Sequence, residues 1–334
     1  MQNYLNVSII IPVYNSEKTI KNTLNKIINE ASKLISEIIV IDDNSTDNST
    51  KIIKEFSKEI KLIELEKNGG AGNARNSGAL IAKYENLCFI DSDIEITEDS
   101  IVNLVNRLKL DDSTGSVSAT QNLKNLNTNS WSSDFVCLKS CYGTDKFKDE
   151  IVFSTICSEF CVISKKLFFK LNMWKNVNSA GGEEFDMGYK ILKSNKKNIK
   201  TLSARYSGYW CNISTRFKRI VDRTSKYIPL LLKKRKFDTK GSFATFEQSL
   251  SSFLTLILAI LLFINFILIG NNLSLIIIFI LIFQYIVELG FLKFVFKNRG
   301  IKMLIFSLFG IHVINLGIIL GVVYFVFRKI FFIK

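Results

Sequence analysis

Two long stretches without a formal charge dominate the second half of this 334-residue chain. Residues 248–287 contain no Asp, Glu, Lys or Arg, and neither do residues 303–327. A water-soluble domain of this size could not bury so much apolar surface, so a purely soluble protein is excluded. A helix of about 20 residues is about 30 Å long, which matches the hydrocarbon thickness of a bilayer. The sequence therefore predicts a membrane domain over residues 248–334, with about three spanning helices near 250–269, 273–292 and 303–327.

The net charge of +14 is concentrated just before the first apolar stretch. Between Arg205 and Lys240 there are 11 basic residues and two acidic ones. Such a segment is either a solvated cationic face or a basic belt beside an anionic leaflet, and its position favours a belt on the cytoplasmic side. We therefore predict an amphipathic juxtamembrane connector over residues 206–247 that contacts membrane lipids. No zinc-finger spacing or recognition-helix pattern accompanies the charge, so nucleic acid is not expected as a partner.

The cysteines argue against a structural metal site and favour a reducing compartment. The six cysteines form no Cys-x-x-Cys pair, and His312 is the only histidine, so a structural zinc site is not expected. The segment before Val7 has no basic region, and the apolar run that follows it is short. A secretory signal is therefore not expected, and the thiols should stay free on the cytosolic side of the membrane.

The first 110 residues alternate between short apolar runs and longer amphipathic ones. Strands are predicted over residues 7–13, 37–41, 62–65 and 86–90, and helices over residues 16–31, 46–56 and 69–84. Strands and helices that alternate at this interval are typical of βαβ units. An α/β domain with a Rossmann-like, mainly parallel sheet is therefore expected over residues 1–205. Later strands at 116–120 and 160–163 and a helix ending near Lys193 complete this domain.

Acidic side chains follow the second and fourth predicted strands. In an open α/β sheet, ligands bind beyond the carboxyl ends of the strands. Asp42 and Asp43 follow the second strand, where such residues cap a helix or accept hydrogen bonds from a nucleobase and a ribose. Asp91, Ser92 and Asp93 follow the fourth strand. Two carboxylates one residue apart suit a hard divalent cation shared with substrate phosphates, so Mn²⁺ or Mg²⁺ is expected at Asp91 and Asp93.

A glycine-rich segment from Asn68 to Gly78 opens the third predicted helix. Its glycines, Gly70 among them, either bring backbone N–H groups close to a phosphate or let the helix pack closely. Arg75 lies about one turn into the helix, a position from which it can pair with a diphosphate. The segment is neither a Walker loop nor a dinucleotide fingerprint, because the required glycine spacing is missing.

Four segments in this order resemble family 2 glycosyltransferases of the GT-A fold: Ile11–Asn15, Ile41–Asp47, Asn68–Gly78 and Asp91–Asp93. The resemblance covers about residues 5–200 and implies a nucleotide-diphospho-sugar donor. Taken alone, the exit of the first strand is an ordinary one, and only the resemblance gives it a role. The resemblance assigns the metal to Asp93 with Asp91, and the donor to Pro12, Tyr14, Asn15, Asp42, Asp43, Gly70, Arg75, Asp91 and Ser92.

Residues 181–190 resemble the family's later acidic motif, which supplies the catalytic base. Its carboxylates here are Glu183, Glu184 and Asp186, and Glu184 stands where the family usually has Asp. By this resemblance Glu184 is the general base of an inverting, metal-dependent transferase. Processive synthases carry a Gln-x-x-Arg-Trp motif, which none of the glutamines here begins. A single sugar addition is therefore expected.

The apolar C-terminus is similar to that of membrane-bound bacterial members that build surface glycans. The resemblance therefore implies a multi-pass protein of the bacterial inner membrane, with a cytoplasmic catalytic domain and a lipid-linked acceptor. One alternative is a polyprenyl-phosphate glycosyltransferase, in which Arg216, Arg219 and Arg223 hold the phosphate that acts as nucleophile. A second is a non-catalytic membrane scaffold with a degenerate transferase domain. A third, a sugar-nucleotide pyrophosphorylase, usually has a glycine-rich phosphate loop that the first strand exit lacks.

Overall fold

The computed structural model describes residues 6–32, 35–127, 130–144, 148–175, 182–234, 245–267 and 273–331. The chain forms two compact units. The first comprises Met1–Leu126 and Thr144–Tyr209, and the second comprises Asn127–Gly143 and Trp210–Lys334. A segment from the middle of the predicted N-terminal domain thus packs with the C-terminal helices, so no single cut near residue 205 separates the units.

Four parallel strands form one half of the sheet in the first unit. They are β1 (Asn6–Val13), β2 (Ile35–Asp42), β3 (Lys61–Glu64) and β4 (Asn86–Ile90). The helices between them are α1 (Ile20–Ala31), α2 (Ser49–Lys54) and α3 (Ala71–Ile81). β1 is buried on both faces from its second residue onward, which explains its continuous apolar run. The elements predicted for this half are confirmed, with ends that differ by a few residues.

The other half of the sheet is mixed, which corrects the prediction of a mainly parallel sheet. Its strands are β5 (Ile94–Ile96), β6 (Thr114–Asn125), β7 (Glu150–Phe153), β8 (Phe160–Ser164) and β9 (Lys197–Gly208). β8 is antiparallel to β4 and β6, whereas β9 is parallel to β6 and antiparallel to β5 and β7. The order is β3-β2-β1-β4-β8-β6-β9-β5, with β7 beside β9. Successive strands from β5 to β9 are not neighbours in the sheet, so strand direction could not be inferred from their order along the chain.

Helices cover both faces of the sheet and divide the core in two. The remaining helices of this unit are α4 (Ser100–Leu110), α6 (Lys165–Lys170) and α7 (Glu183–Lys193). Ile9 and Ile11 of β1 pack on one face with Leu24 of α1, and Ile10 packs on the other face with α3. A Cβ on Gly78 would lie 2.5 Å from Cγ2 of Ile10. The glycine-rich helix therefore packs directly on β1, and its first turn is held at the carboxyl ends of the strands.

The second unit is helical. Its helices are α5 (Trp131–Cys141), α8 (Ile213–Lys234), α9 (Phe246–Ile267), α10 (Ser274–Val287) and α11 (Leu289–Phe331). Among the described residues, α9 and α11 are long and apolar enough to cross a membrane, by length and composition. The 14-residue α10 is only about 21 Å long. The structure thus has two candidate spanning helices where the sequence predicts three.

The predicted second span, residues 273–292, is divided in the structure. α10 ends before Glu288, whose carboxylate pairs with Lys139 of α5 at 2.9 Å. α11 begins at the next residue, and Gly300, with a φ of 76°, kinks it before the third predicted span. The buried charge of Glu288 and the kink at Gly300 therefore determine where these helices end and bend, at positions that differ from the boundaries predicted from hydropathy. The end of the first predicted span, residues 268–269, lies outside the described residues.

Candidate active site

Asp42, the last residue of β2, holds the loop that follows it. Its carboxylate accepts a hydrogen bond from the backbone N–H of Ser45 at 3.0 Å and another from the hydroxyl of Thr50. The residue is 2% exposed. A carboxylate has about four acceptor positions, so this one retains acceptor capacity beyond these two bonds.

Asp43 ties the end of β2 to the glycine-rich segment. Its two oxygens accept the backbone N–H groups of Gly69 and Gly70, at 2.9 and 2.7 Å. Asn68 adds a side-chain hydrogen bond to the carbonyl of Asp43 at 3.2 Å. Gly70 has a φ of 85°, which favours glycine. Asp43 therefore fixes the backbone from which α3 begins, and those two N–H groups already have an acceptor.

Arg75 of α3 is a buried cation at the end of β4. Its Nη2 atom donates to Oδ1 of Asp91 at 2.5 Å, and its Nη1 atom lies 4.0 Å from Oε1 of Glu183. The guanidinium also lies over the ring of Trp174, 5.6 Å from its centroid. Burial lowers the pKa of a guanidinium, but the nearby carboxylates outweigh it and raise the pKa of Arg75. Arg75 therefore stays cationic, and its nearest partner is a carboxylate of this chain.

The segment after β4 presents two carboxylates on either side of an inward-facing serine. Burial raises the pKa of the Asp91 carboxyl, although Arg75 acts in the opposite direction. Asp93 is exposed, and its carbonyl accepts the backbone N–H of Tyr209 at 3.1 Å. Asp91 is thus held from within the fold, whereas Asp93 is an exposed residue.

Ser92 fixes the turn between these two carboxylates. Its hydroxyl lies 2.8 Å from the hydroxyl of Ser16, and its carbonyl accepts hydrogen bonds from Thr19 and Thr23 at 2.9 and 3.0 Å. The side chain is buried. In this structure the contacts of Ser92 are therefore with the first turns of α1 and the residues before it.

The exit of β1 meets the loop after β2. Following Pro12 and Val13, Tyr14 is half exposed and Asn15 adopts a φ of 50°. The Asn15 side-chain oxygen accepts the backbone N–H of Thr46 at 2.8 Å. This contact joins the loop after β1 to the loop after β2, and Tyr14 directly precedes Asn15 in the first of these loops.

The acidic motif lies in the first turn of α7. Glu184 accepts two hydrogen bonds from Ser158, from its hydroxyl at 2.7 Å and from its backbone N–H at 3.1 Å. Glu183 is buried and approaches Arg75, whereas Asp186 pairs with Lys190 one turn later at 2.7 Å. Of the three carboxylates, Glu184 is therefore the one positioned by the segment before β8. Residue 181, at the start of the motif, lies outside the described residues.

Glu159 joins the same group of charges, although no sequence motif marks it. Its backbone carbonyl accepts the N–H of Asp91 at 2.9 Å. Its Oε2 atom accepts hydrogen bonds from Gln121 at 2.8 Å and from the hydroxyl of Tyr206. Glu159 follows an irregular segment with no periodic pattern. Its position at the site depends on the pairing of β8 with β4 and β6.

The donor set at the end of β4 fits a hard divalent cation that shares its ligands with a substrate. Asp91 and Asp93 supply carboxylate oxygens, which are the ligands that Mn²⁺ and Mg²⁺ prefer. Among the described residues, no group of three or more His, Cys, Asp or Glu side chains is arranged to hold a metal. A cation here would therefore take its remaining ligands from a diphosphate and from water.

The three arginines proposed for a lipid phosphate lie in the second unit. Arg216, Arg219 and Arg223 are three and four residues apart on α8, so they share one face of the helix. The residues of α8 that touch α11 lie on a different face, since a Cβ on Gly321 would lie 2.6 Å from Cβ of Thr224. α8 is thus amphipathic, with one face packed on α11 and a basic face turned away from it.

Sequence comparison extends the resemblance beyond these motifs. The sequence model of glycosyl transferase family 2 matches residues 8–171. The poly-beta-1,6-N-acetyl-D-glucosamine synthase of Staphylococcus epidermidis is 32% identical over 121 residues, 36% of this chain and 29% of that protein. The poly(ribitol-phosphate) beta-glucosyltransferase of Bacillus spizizenii is 39% identical over 107 residues, 30% of this chain and 17% of that protein. The chain therefore spans less than a third of the length of these relatives.

A solved structure shares the fold over almost the whole chain. It is a mannosyltransferase from Pyrobaculum calidifontis, in complex with GDP-Man and Mn²⁺, with a TM-score of 0.60 and 14% sequence identity. The match covers 98% of this chain and 89% of that one. The fold and the family predicted from the four motifs are thus confirmed. Through residues 8–171, the chain belongs to glycosyl transferase family 2, and its first unit has the GT-A fold.

Proposed function

We propose that this protein is an inverting, metal-dependent, non-processive glycosyltransferase. It moves one sugar from a nucleotide-diphospho-sugar to a membrane-associated acceptor, such as a lipid-linked glycan. The observation that carries the proposal is the convergence of α7 and β4, since Arg75 connects Asp91 with Glu183 beside Glu184. Two of its relatives are named as a poly-beta-1,6-N-acetyl-D-glucosamine synthase and a poly(ribitol-phosphate) beta-glucosyltransferase.

In the proposed reaction, the acceptor hydroxyl oxygen attacks the anomeric carbon of the donor sugar. A bond forms between them while the bond from that carbon to the diphosphate breaks, and the nucleoside diphosphate leaves with the electron pair. Glu184 accepts the hydroxyl proton, and the hydrogen bonds from Ser158 fix the orientation of its carboxylate. Asp93 and Asp91 would hold Mn²⁺ or Mg²⁺, which offsets the charge on the leaving diphosphate.

The remaining residues of the site would bind and orient the donor. Asp42 and Asp43 fix the loops around the nucleoside, and the ring of Tyr14 offers a surface on which a base can stack. Gly70 and Arg75 would lie beside the diphosphate. Arg75 would contribute by orienting Asp91, with which it is already paired. Pro12, Asn15 and Ser92 shape the backbone around these groups.

The experiment that tests the proposal is a panel of sugar nucleotides incubated with membranes that contain the protein, with release of nucleoside diphosphate as the readout. A base contributes about 10²–10⁴ in rate, so Glu184→Gln should lower turnover by that order while leaving donor affinity unchanged. Glu59→Gln, at an exposed carboxylate after α2, is the matched control and should behave as wild type. Full activity of Glu184→Gln with the true acceptor would remove Glu184 from the role of base.

The basic face of α8 favours one second candidate, a polyprenyl-phosphate acceptor. A phosphate monoester is mostly dianionic at pH 7 and needs cations rather than a base. In that case Glu184→Gln would cost little, and replacing Arg216, Arg219 or Arg223 by Gln would raise the acceptor KM strongly. The two outcomes are opposite, so the same set of variants decides between a hydroxyl and a phosphate nucleophile.

We further propose that α9 and α11 anchor the protein in the bacterial inner membrane, with the first unit on the cytoplasmic side. The support is the apolar composition of these helices and the basic residues of α8 that precede them. Lys293, Lys297 and Lys302 are exposed on α11 close to Gly300 and add to the positive charge expected on that side.

A further inference from the structure

We propose that Glu159 binds a hydroxyl group of the donor sugar and thereby selects which sugar the protein transfers. This inference rests on the proposed function, because it assigns one side chain to one part of the donor. Glu159 lies outside every motif that carries the family resemblance, since it comes directly before β8.

The position of Glu159 follows from its two neighbours. Its own carbonyl accepts the N–H of Asp91 at 2.9 Å, so it stands beside the segment proposed to hold the cation and the diphosphate. The residue before it, Ser158, donates two hydrogen bonds to Glu184, the proposed base. The reacting sugar must lie between the leaving diphosphate and the base. Glu159 is therefore next to the place where the sugar ring has to be.

The carboxylate of Glu159 is held on one side only. Its Oε2 atom accepts hydrogen bonds from Gln121 and Tyr206, and Tyr206 is fully buried. The Tyr206 hydroxyl is itself 3.5 Å from the thiol of Cys157, which completes a chain of donors behind the carboxylate. Among the described residues, none donates a hydrogen bond to Oε1, and that atom is not buried.

An oriented carboxylate whose second oxygen is not buried and accepts no hydrogen bond from the described residues is an acceptor for an O–H group. The sugar of the donor offers several hydroxyl groups, and epimers differ in where one of them points. A hydrogen bond to a charged group corresponds to about 10- to 150-fold in affinity, and a site built around such a bond rejects a ligand that lacks the hydroxyl. The fixed geometry of Glu159 therefore favours discrimination between sugars over general affinity for nucleotides.

The test compares sugar nucleotides with the corresponding nucleoside diphosphates. Affinities of the full chain in detergent are measured by titration calorimetry with Mn²⁺, for UDP-glucose, UDP-N-acetylglucosamine, GDP-mannose, UDP and GDP. In Glu159→Ala we expect the preferred sugar nucleotide to bind about 10- to 150-fold more weakly, with unchanged affinity for its nucleoside diphosphate. Tyr206→Phe removes one of the two donors to Oε2 and should reproduce part of this loss. Glu59→Ala should reproduce none of it.

Four results would overturn the inference. An equal loss of affinity for nucleoside diphosphates would mean that Glu159 only maintains the fold. An unchanged sugar-nucleotide affinity with a raised KM for the acceptor would mean that the hydroxyl belongs to the acceptor. If the wild-type protein binds none of these nucleotides, the proposed function itself fails. If wild type binds them and Glu159→Ala binds them equally, only the role of Glu159 fails.

Discussion

Asp43 is the residue whose removal should cost most at the edge of the donor site. In Asp43→Ala the N–H groups of Gly69 and Gly70 lose their acceptor. A hydrogen bond to a charged group contributes about 1.5–3 kcal/mol, and both glycines are partly buried, so we expect the free energy of unfolding to fall by about that amount. Denaturation of the detergent-solubilised protein, followed by tryptophan fluorescence, measures the change. Asp43→Asn keeps one acceptor oxygen, so its free energy of unfolding should lie between those of the wild type and Asp43→Ala. Equal stability of all three proteins would contradict this role of Asp43.

Replacing Asp93, in contrast, should lower activity with little effect on stability. Its side chain is exposed, so Asp93→Asn should change the free energy of unfolding by less than about 0.5 kcal/mol. We expect the same variant to lose turnover and binding of Mn²⁺, because it removes one of the two carboxylates proposed to hold the cation at the end of β4. Mn²⁺ binding is measured by electron paramagnetic resonance on the purified protein. Near-normal turnover of the variant with Mn²⁺ or Mg²⁺ would show that Asp93 is not a ligand.

At the scale of elements, the position of α7 depends on Gly188. A Cβ there would lie 2.6 Å from Cα of Thr155, and a backbone neighbour cannot change rotamer to make room. Ala improves helix propensity by about 1 kcal/mol, but overpacking costs about 1–3 kcal/mol. We therefore expect Gly188→Ala to be net destabilising, to displace Glu184 and to lower turnover. Gly182→Ala is the control for stability, because nothing lies within 4 Å of the position that its Cβ would occupy. If Gly188→Ala were more stable than the wild type, the expected overpacking at Gly188 would be refuted.

The elements also show what the sequence could predict. β1 and β4 are almost entirely buried apolar runs followed by polar residues, so their ends could be predicted, as could the carboxylates of Asp91 and Asp93 after β4. α5 could not, because its sequence mixes polar and apolar residues and its partners lie more than 140 residues away, as Asp134 with Arg299 shows. Arg75 was placed on the right helix, but its burial against Asp91 depends on a neighbouring strand. The position of Glu159 at the site depends on pairing between strands that are distant in sequence, and such pairing cannot be predicted from sequence periodicity.

At the scale of the whole molecule, α9 and α11 should decide where the protein resides. Burial of a spanning apolar helix is insensitive to ionic strength, whereas attraction between a basic helix and anionic lipid is screened by salt. We therefore expect the full chain to stay in the membrane fraction after washing with high salt and with alkaline carbonate, and to dissolve in detergent. Fractionation followed by immunoblotting measures this. Release by salt alone would show that α8, not the apolar helices, provides the attachment.

The placement of α5 in the second unit has a consequence for biosynthesis. Phe135 packs against Phe291 and Phe306 of α11, which emerge from the ribosome more than 140 residues later. At roughly 5–20 residues per second, that delay is on the order of 10–30 s. During this interval the sheet of the first unit can close, while the apolar face of α5 waits for its partners. The nascent chain thus carries an exposed apolar helix between two finished parts of the sheet, and it is most vulnerable to aggregation and proteolysis until α11 is made.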